Sequence, residues 1–170
     1  QIIHGVNGDA HVVSAVKLEP EQGFTYETDI DLAADSCSAA LTFGIQNKDN
    51  PAESWIGANF NFHDNNGAGG ARVFRVQGGA YDIGSASLEG KLDKTKTIHA
   101  KLQVSSNGLL TYELYNVGSE ENKVTVTGGL GACPGGWLGL LTFDSSAAFS
   151  NTTYTLEEAP PADTDYKTNL

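Results

Sequence analysis

The stretch Phe24-Thr25-Tyr26-Glu27-Thr28-Asp29-Ile30-Asp31-Leu32 decides the fold. Phe24, Tyr26, Ile30 and Leu32, joined by Thr28, alternate with Thr25, Glu27, Asp29 and Asp31. Successive side chains of a strand point to opposite faces of its sheet, so this stretch predicts one buried and one wet face. Leu41, Phe43 and Ile45 repeat the pattern. Ile56, Ala58, Phe60 and Phe62 oppose Trp55, Asn59, Asn61 and His63. Ile98, Ala100, Leu102 and Val104 oppose Thr97, His99, Lys101 and Gln103, and Leu110, Tyr112 and Leu114 oppose Thr111, Glu113 and Tyr115. Shorter runs fall at 11–16, 72–76, 123–126, 136–143 and 149–156. Ser106-Asn107-Gly108 marks a hairpin turn, and Asp64-Asn65-Asn66-Gly67, followed by Gly69-Gly70, marks a longer one. About ten short strands, with no strand–helix alternation, predict an all-β fold: two antiparallel sheets packed as a jelly-roll sandwich. Residues 1–156 form the single domain in this reading, and 157–170, with Pro160-Pro161, a polar C-terminal tail or linker.

The 170 residues suit one domain, and 39% hydrophobic against 18% charged residues suits a packed core. Lys and Arg number 10 against 21 Asp and Glu, a net charge of −11. Such a surface repels phosphate backbones, so nucleic acid and anionic membranes are excluded as expected partners. No apolar run approaches the ~18 residues of a membrane span. The chain starts at Gln1, without Met and without a signal-peptide pattern, which reads as a secreted, processed chain or a module of a larger protein. Cys37 and Cys133 lack the spacing and the His neighbours of a zinc site. They stand beside two strand candidates, 41–45 and 136–143, and the expectation is a disulfide between them. Closing so long a loop would stabilise by up to about 4–5 kcal/mol in the chain-entropy model. Two buried free thiols are the alternative. Asn151-Thr152-Thr153 is a glycosylation sequon.

Several of these strands resemble one family. The 24–32 stretch resembles the "FTYEADV" opening strand of the β-sandwich modules that follow the catalytic domain in levanases and invertases. The fructan-binding members of that group are the family 66 carbohydrate-binding modules. Ala40-Leu41-Thr42-Phe43 resembles their "LVF" strand, Trp55-Ile56-Gly57-Ala58-Asn59-Phe60-Asn61 their "GYVLNVD" strand, and Arg72-Val73-Phe74-Arg75 their "VRLFK" strand. Ile98-His99-Ala100-Lys101-Leu102 and Trp137-Leu138-Gly139-Leu140 are similar to two further sheet strands. The resemblance spans roughly residues 10–156 and implies a concanavalin-like sandwich, a fructan ligand and a catalytic domain attached in the full-length protein. Two positions depart from it. Gly44 stands where the family often has Arg, and Asn61 where it has Asp.

Three groups of residues carry chemistry. Trp55, Asn59, Asn61 and His63 share the polar side of their strand. Aromatic rings stack on the apolar face of a sugar, and planar amides bond vicinal hydroxyls, so Trp55, Asn59 and Asn61, with one of Arg72 or Arg75, form the expected carbohydrate-binding set. Arg72 and Arg75 point to opposite faces. Exposed in this reading, Trp55 contributes to glycan retention and little to stability. Glu27, Asp29 and Asp31, at i, i+2 and i+4, share one face of their own strand, and a retaining glycosidase needs two carboxyls about 5–5.5 Å apart. Family 16 glucanases use E-x-D-x-E on one strand; this strand reads E-x-D-x-D. Asn47-Lys48-Asp49-Asn50 and His63-Asp64-Asn65-Asn66 offer hard oxygen ligands of the kind calcium takes, but neither has an EF-hand spacing and such loops are usually plain turns, so the expectation is no cofactor and no metal, with calcium the alternative.

The expected function is therefore a non-catalytic carbohydrate-binding module or lectin that holds a polysaccharide end, with fructan first among glycans. The alternatives are a small concanavalin-like glycosidase using the Glu27–Asp31 strand, and a surface adhesion domain without a sugar ligand.

Overall fold

A computed structural model of the chain describes residues 2–4 and 9–158. The alternation of 24–32 becomes a strand with one face buried, β3 (Phe24–Leu32). It lies inside a six-stranded antiparallel sheet ordered β1 (Ile2–His4), β12 (Ser146–Leu156), β3, β8 (Ile98–Val104), β9 (Leu109–Asn116) and β10 (Val124–Gly129). The second sheet also has six strands: β2 (Asp9–Leu18), β11 (Gly136–Phe143), β4 (Ser38–Ile45), β5 (Ser54–Asn61), β6 (Gly70–Gln77) and β7 (Ala80–Ser87). Every pairing is antiparallel. The only helical elements among the described residues are three single 3-10 turns. Among the described residues no helix is long and apolar enough to cross a membrane. The fold is the expected all-β, two-sheet sandwich.

Between the sheets, Phe24, Tyr26 and Ile30 of β3 meet Leu41 and Phe43 of β4 and Ile56, Ala58 and Phe60 of β5, all buried. Tyr26 ties the layers together by donating its hydroxyl to the Gly139 carbonyl at 2.8 Å. Burial pushes that phenol well above its ordinary value. The predicted hairpin turn is present: Gly108 (φ +84°) reverses the chain between β8 and β9, and its amide bonds the Ser105 carbonyl at 2.9 Å. On one side the sandwich closes backbone to backbone. A side chain at Gly84 of β7 would strike the Thr127 carbonyl of β10, and one at Gly128 would strike Ile83.

Three expectations change. First, Cys37 and Cys133 are free and buried, not bonded to each other. β4 and β11 are neighbours, as expected, but they run antiparallel, with Leu41 opposite Leu140 and Trp137 opposite Ile45. Cys37 precedes the start of β4 and Cys133 the start of β11, so the two thiols stand at opposite ends of the pair. The separation is roughly 25 Å at about 3.3 Å per residue, against the ~7 Å limit between Cα atoms of a disulfide. Cys37 packs beside Ser145, 3.7 Å from its hydroxyl, and the Cys133 thiol donates to the Gln22 carbonyl at 3.0 Å.

Second, Ile45 does not share the inner face with Leu41 and Phe43. Gly44 has φ +61° and inserts an extra residue opposite β11, so that Trp137 faces Ile45 while Gly139 faces Thr42. This bulge turns Ile45 to the outer side of the sheet, where it packs with Ala40, Trp55 and Leu141. Gly44 thus holds a backbone position that the family's Arg would strain.

Third, β7 has no counterpart among the predicted strands. It is an edge strand of small, largely exposed residues, so burial imprints no alternation on it. Of the predicted tail, Glu157 bonds back to the body through its amide to the Gly23 carbonyl at 2.8 Å. Residues 159–170 lie outside the described residues.

Candidate functional site

The outer face of the second sheet is built from alternate residues of β4, β5, β6, β11 and β2. On β5 these are Trp55, Gly57, Asn59 and Asn61; their partners across the ladder on β6 are Val76, Phe74, Arg72 and Gly70. The two glycines matter because they leave room. Trp55 and Phe74 lean over Gly57, where a Cβ would come 2.8 Å from the indole and 3.1 Å from the phenyl ring. The two rings meet edge to face with centroids 5.3 Å apart. Opposite Asn61, Gly70 leaves space that Asp64 covers, 3.3 Å from where a Cβ would be.

A pocket of about 290 Å³ results. Trp55 and Phe74 give its floor, Leu141 and Phe143 one wall, and Asn59, Asn61, Asp64 and Arg72 its polar groups. Phe143 is 48% exposed, a large aromatic ring held at the rim. Asn59 makes no side-chain hydrogen bond to another described residue. Asn61 accepts from the His63 amide at 2.8 Å through Oδ1, which leaves its Nδ2 free to donate. The Arg72 guanidinium lies over Phe74, with Cζ 4.6 Å from the ring centroid. Asp82 Oδ1 is 3.1 Å from Arg72 Nε, close enough for an ion pair but out of line for a hydrogen bond, so that buried N–H has no acceptor. The pair is substantially exposed, which makes its own contribution to stability small, about 0–1 kcal/mol.

Trp55, Asn59, Asn61 and Arg72 are therefore brought together on one face. Arg75 is not among them. Three positions from Arg72, it points inward and lines a shallow depression at the end of the sandwich with Gln46, Gln77 and Pro134. Trp55 faces outward as the alternation requires, yet it is only 7% exposed. Its burial comes from neighbours on the outer face: His11 of β2, with ring centroids 5.3 Å apart, Phe74, and the small apolar group of Ala40, Ile45 and Leu141. The expected exposed platform is thus an almost wholly buried ring. Under it, His11 Nε2 is 2.8 Å from the Thr42 hydroxyl, and burial pushes its imidazole down from 6.5 to about 4, so the ring is neutral near pH 7.

Phe74, Phe143 and Leu141 were not among the expected site residues, and Asp64 was there only as a candidate calcium ligand. Parity alone could have found Phe74, which lies two residues after Arg72 on one strand.

The Glu27-Asp29-Asp31 face lies on the other sheet. There His99 bridges the first two carboxylates, Nε2 to Glu27 at 2.9 Å and Nδ1 to Asp29 at 2.7 Å, and Thr97 donates to Asp31 at 2.5 Å. Burial alone would raise the Asp29 carboxyl, but the Asn151 amide at 2.9 Å and the His99 bond and charge outweigh it and hold it below its ordinary value. A general acid needs the opposite shift. The Asn47 loop is turned on itself: the Asn47 side-chain oxygen accepts from the Asp49 amide at 3.0 Å, and its amide donates to Glu53 at 3.0 Å. Among the described residues no group of three or more His, Cys, Asp or Glu is placed to hold a metal ion. A larger open groove of about 870 Å³ at the β8–β9 hairpin end carries no ring stacked on an amide or guanidinium, and part of its polar lining is already engaged, with Ser105 bonded to Asn107 and the Ser106 amide donating to Glu157 at 3.1 Å.

No family model matches the chain, and neither does any curated protein. Solved structures do. The carbohydrate-binding module CBM66 from Bacillus subtilis superposes with a TM-score of 0.68 over 90% of this chain and 84% of that one, at 22% identity. A legume lectin-like domain from Entamoeba histolytica gives 0.61 over 92% and 81%, at 14% identity. A toad ovary galectin, in complex with thio-digalactose, gives 0.56 over 88% and 100%, at 10% identity. The fold of this chain is thus that of a concanavalin-like sandwich, similar to a family 66 module and to lectins.

Proposed function

We propose that the chain is a non-catalytic carbohydrate-binding module whose ligand sits on the outer face of the second sheet, in the pocket of Asn59, Asn61 and Arg72. The observation that carries this reading is the convergence of two planar amides and a guanidinium above an aromatic floor. Amides and guanidinium offer paired hydrogen bonds to neighbouring hydroxyls, while Trp55, Phe74 and the rim ring of Phe143 cover the C–H face of a sugar. Asp64 and Asp82 outnumber Arg72 around the opening, which favours a neutral sugar over a carboxylated one. Fructan is the first candidate, supported by the strand-by-strand resemblance and by the likeness in fold to the Bacillus module. The protein leaves the bound glycan intact, since Glu27 and Asp29 are both taken up by His99 on the other sheet. A site of this size supports affinities on the order of micromolar to millimolar once rigid-body entropy is subtracted.

Affinity electrophoresis in gels containing levan, inulin, β-glucan or galactan, followed by calorimetry on the retained glycan, tests the reading. The N59A/N61A double variant is expected to lose retention while melting like the wild type. Retention of no glycan by the wild type, or unchanged retention by the double variant, overturns it, and release of reducing sugar from the bound glycan overturns its non-catalytic part.

A further inference from the structure

We propose that the site continues past the pocket along β11 to Trp137, so that the outer face of the second sheet takes a short chain of neutral sugar units. One unit would lie in the pocket and a later one against the Trp137 ring, with the Lys17 ammonium above it; this rests on the sugar-binding reading.

Outer faces of antiparallel sheets that meet only water alternate to polar residues. This one does not. Val13, Val76 and Trp137 join the cluster of Trp55, Ile45 and Leu141, so an apolar band runs unbroken from the pocket to Trp137. Trp137, Leu141 and Phe143 share this face of β11, and the four to six residues between the ends of the band span about 13–20 Å. That reach exceeds one sugar ring. At the far end Lys17, directly across the ladder from Trp137, places its ammonium 4.5 Å from the indole centroid. Lys17 is exposed and has no carboxylate within ion-pair distance among the described residues, although the chain holds 21 acidic residues. Its three N–H donors are thus available to hydroxyls, next to a ring half-open to solvent. The pocket end, with Arg72 over Phe74 on β6, and the Trp137 end, with Lys17 of β2 over a ring of β11, repeat one chemistry, a cation beside an aromatic face, at two places on one sheet face.

Calorimetry with the wild type and the W137A, K17A and N59A/N61A variants, on fructose and its levan-type di-, tri- and tetrasaccharides with cello-oligosaccharides in parallel, tests this. Wild-type affinity is expected to rise about three- to tenfold from monosaccharide to the longer chains, the gain of one added stacking contact. W137A is expected to abolish that rise and leave monosaccharide binding unchanged. K17A, which spares the apolar band, is expected to reduce the rise and serves if W137A does not fold. N59A/N61A is expected to lose all lengths together. A wild type with equal affinity for every length, or a folded W137A and K17A that both keep the full rise, overturns the extension while leaving the pocket standing. A wild type that binds no member of either series overturns both.

Discussion

The indole of Trp55 rests on Gly57, the residue two places along its own strand, with no room between them for a methyl group. Neither contacting ring is a flexible chain end. Gly57→Ala is therefore expected to tilt Trp55 and Phe74 away from the sheet and cost about 1–3 kcal/mol as overpacking. Glycan retention should fall more than stability, because the floor moves while the core between the sheets does not. Thermal melts with calorimetry on the same samples compare the two.

Trp55→Ala carries a different expectation. The outward facing of Trp55 suggests a side chain that stability can spare, but the ring is 7% exposed and fills the space among His11, Phe74 and Leu141. Removing it should cost about 3–5 kcal/mol, the usual range for a buried Trp. A denaturation midpoint equal to the wild type would show that the outer cluster collapses without loss. Binding tests of the site are better made at Asn59, which makes no side-chain hydrogen bond to another described residue, and at Asn61, whose one such bond is the exposed contact from the His63 amide.

Stability should also fall on the acid side through His11. Its imidazole titrates near 4 in the fold and near 6.5 unfolded, so between these values the unfolded chain binds the extra proton. The contribution is fully present above pH 6.5, declines as pH falls, and levels off below about pH 4. His11→Asn removes the titrating group, and the difference in melting temperature between wild type and variant is expected to shrink across that window. A difference constant from pH 7 to pH 4 would contradict the burial of the ring.

The thiols give a chemical check. Both are buried, and burial raises the Cys133 thiol above its ordinary value. An aromatic disulfide reagent is expected to leave the native protein almost unlabelled and to titrate two thiols once it is unfolded, with no reductant present. Fewer than two would mean an oxidised pair.

What could be read in advance follows from what period two encodes. β3, β5, β8 and β9 each pack one face on the core, and hydrophobic alternation reports that directly. It is silent on β7, which buries little, and it misplaces Ile45, because one inserted residue reverses parity without changing composition. For the site, parity placed Trp55, Asn59 and Asn61 on one side and split Arg72 from Arg75, but only the register of β5 against β6 shows that Arg72 is the one that joins them. It could not say how deeply Trp55 sinks, since that depends on His11 and Leu141, far away in sequence and adjacent only through pairing of β2 with β11 and of β11 with β4. The cysteine expectation failed for the same kind of reason: two neighbouring strands were inferred, but not that their starts lie at opposite ends.

The bulge at Gly44 lets the strand carry one residue more than the ladder needs without turning its far end over. Without Gly44, Ile45 would follow Phe43 directly, and plain alternation would still send it outward. With Gly44 present, the outward facing of Ile45 depends on that residue staying out of the ladder, in the left-handed backbone that glycine adopts freely. A β-branched residue at 44 would press the strand toward regular pairing, turn Ile45 into the space between the sheets and strip the apolar support from beside Trp55 and Trp137. One substitution at Gly44, which touches no part of the pocket, would thus be felt across the whole binding face.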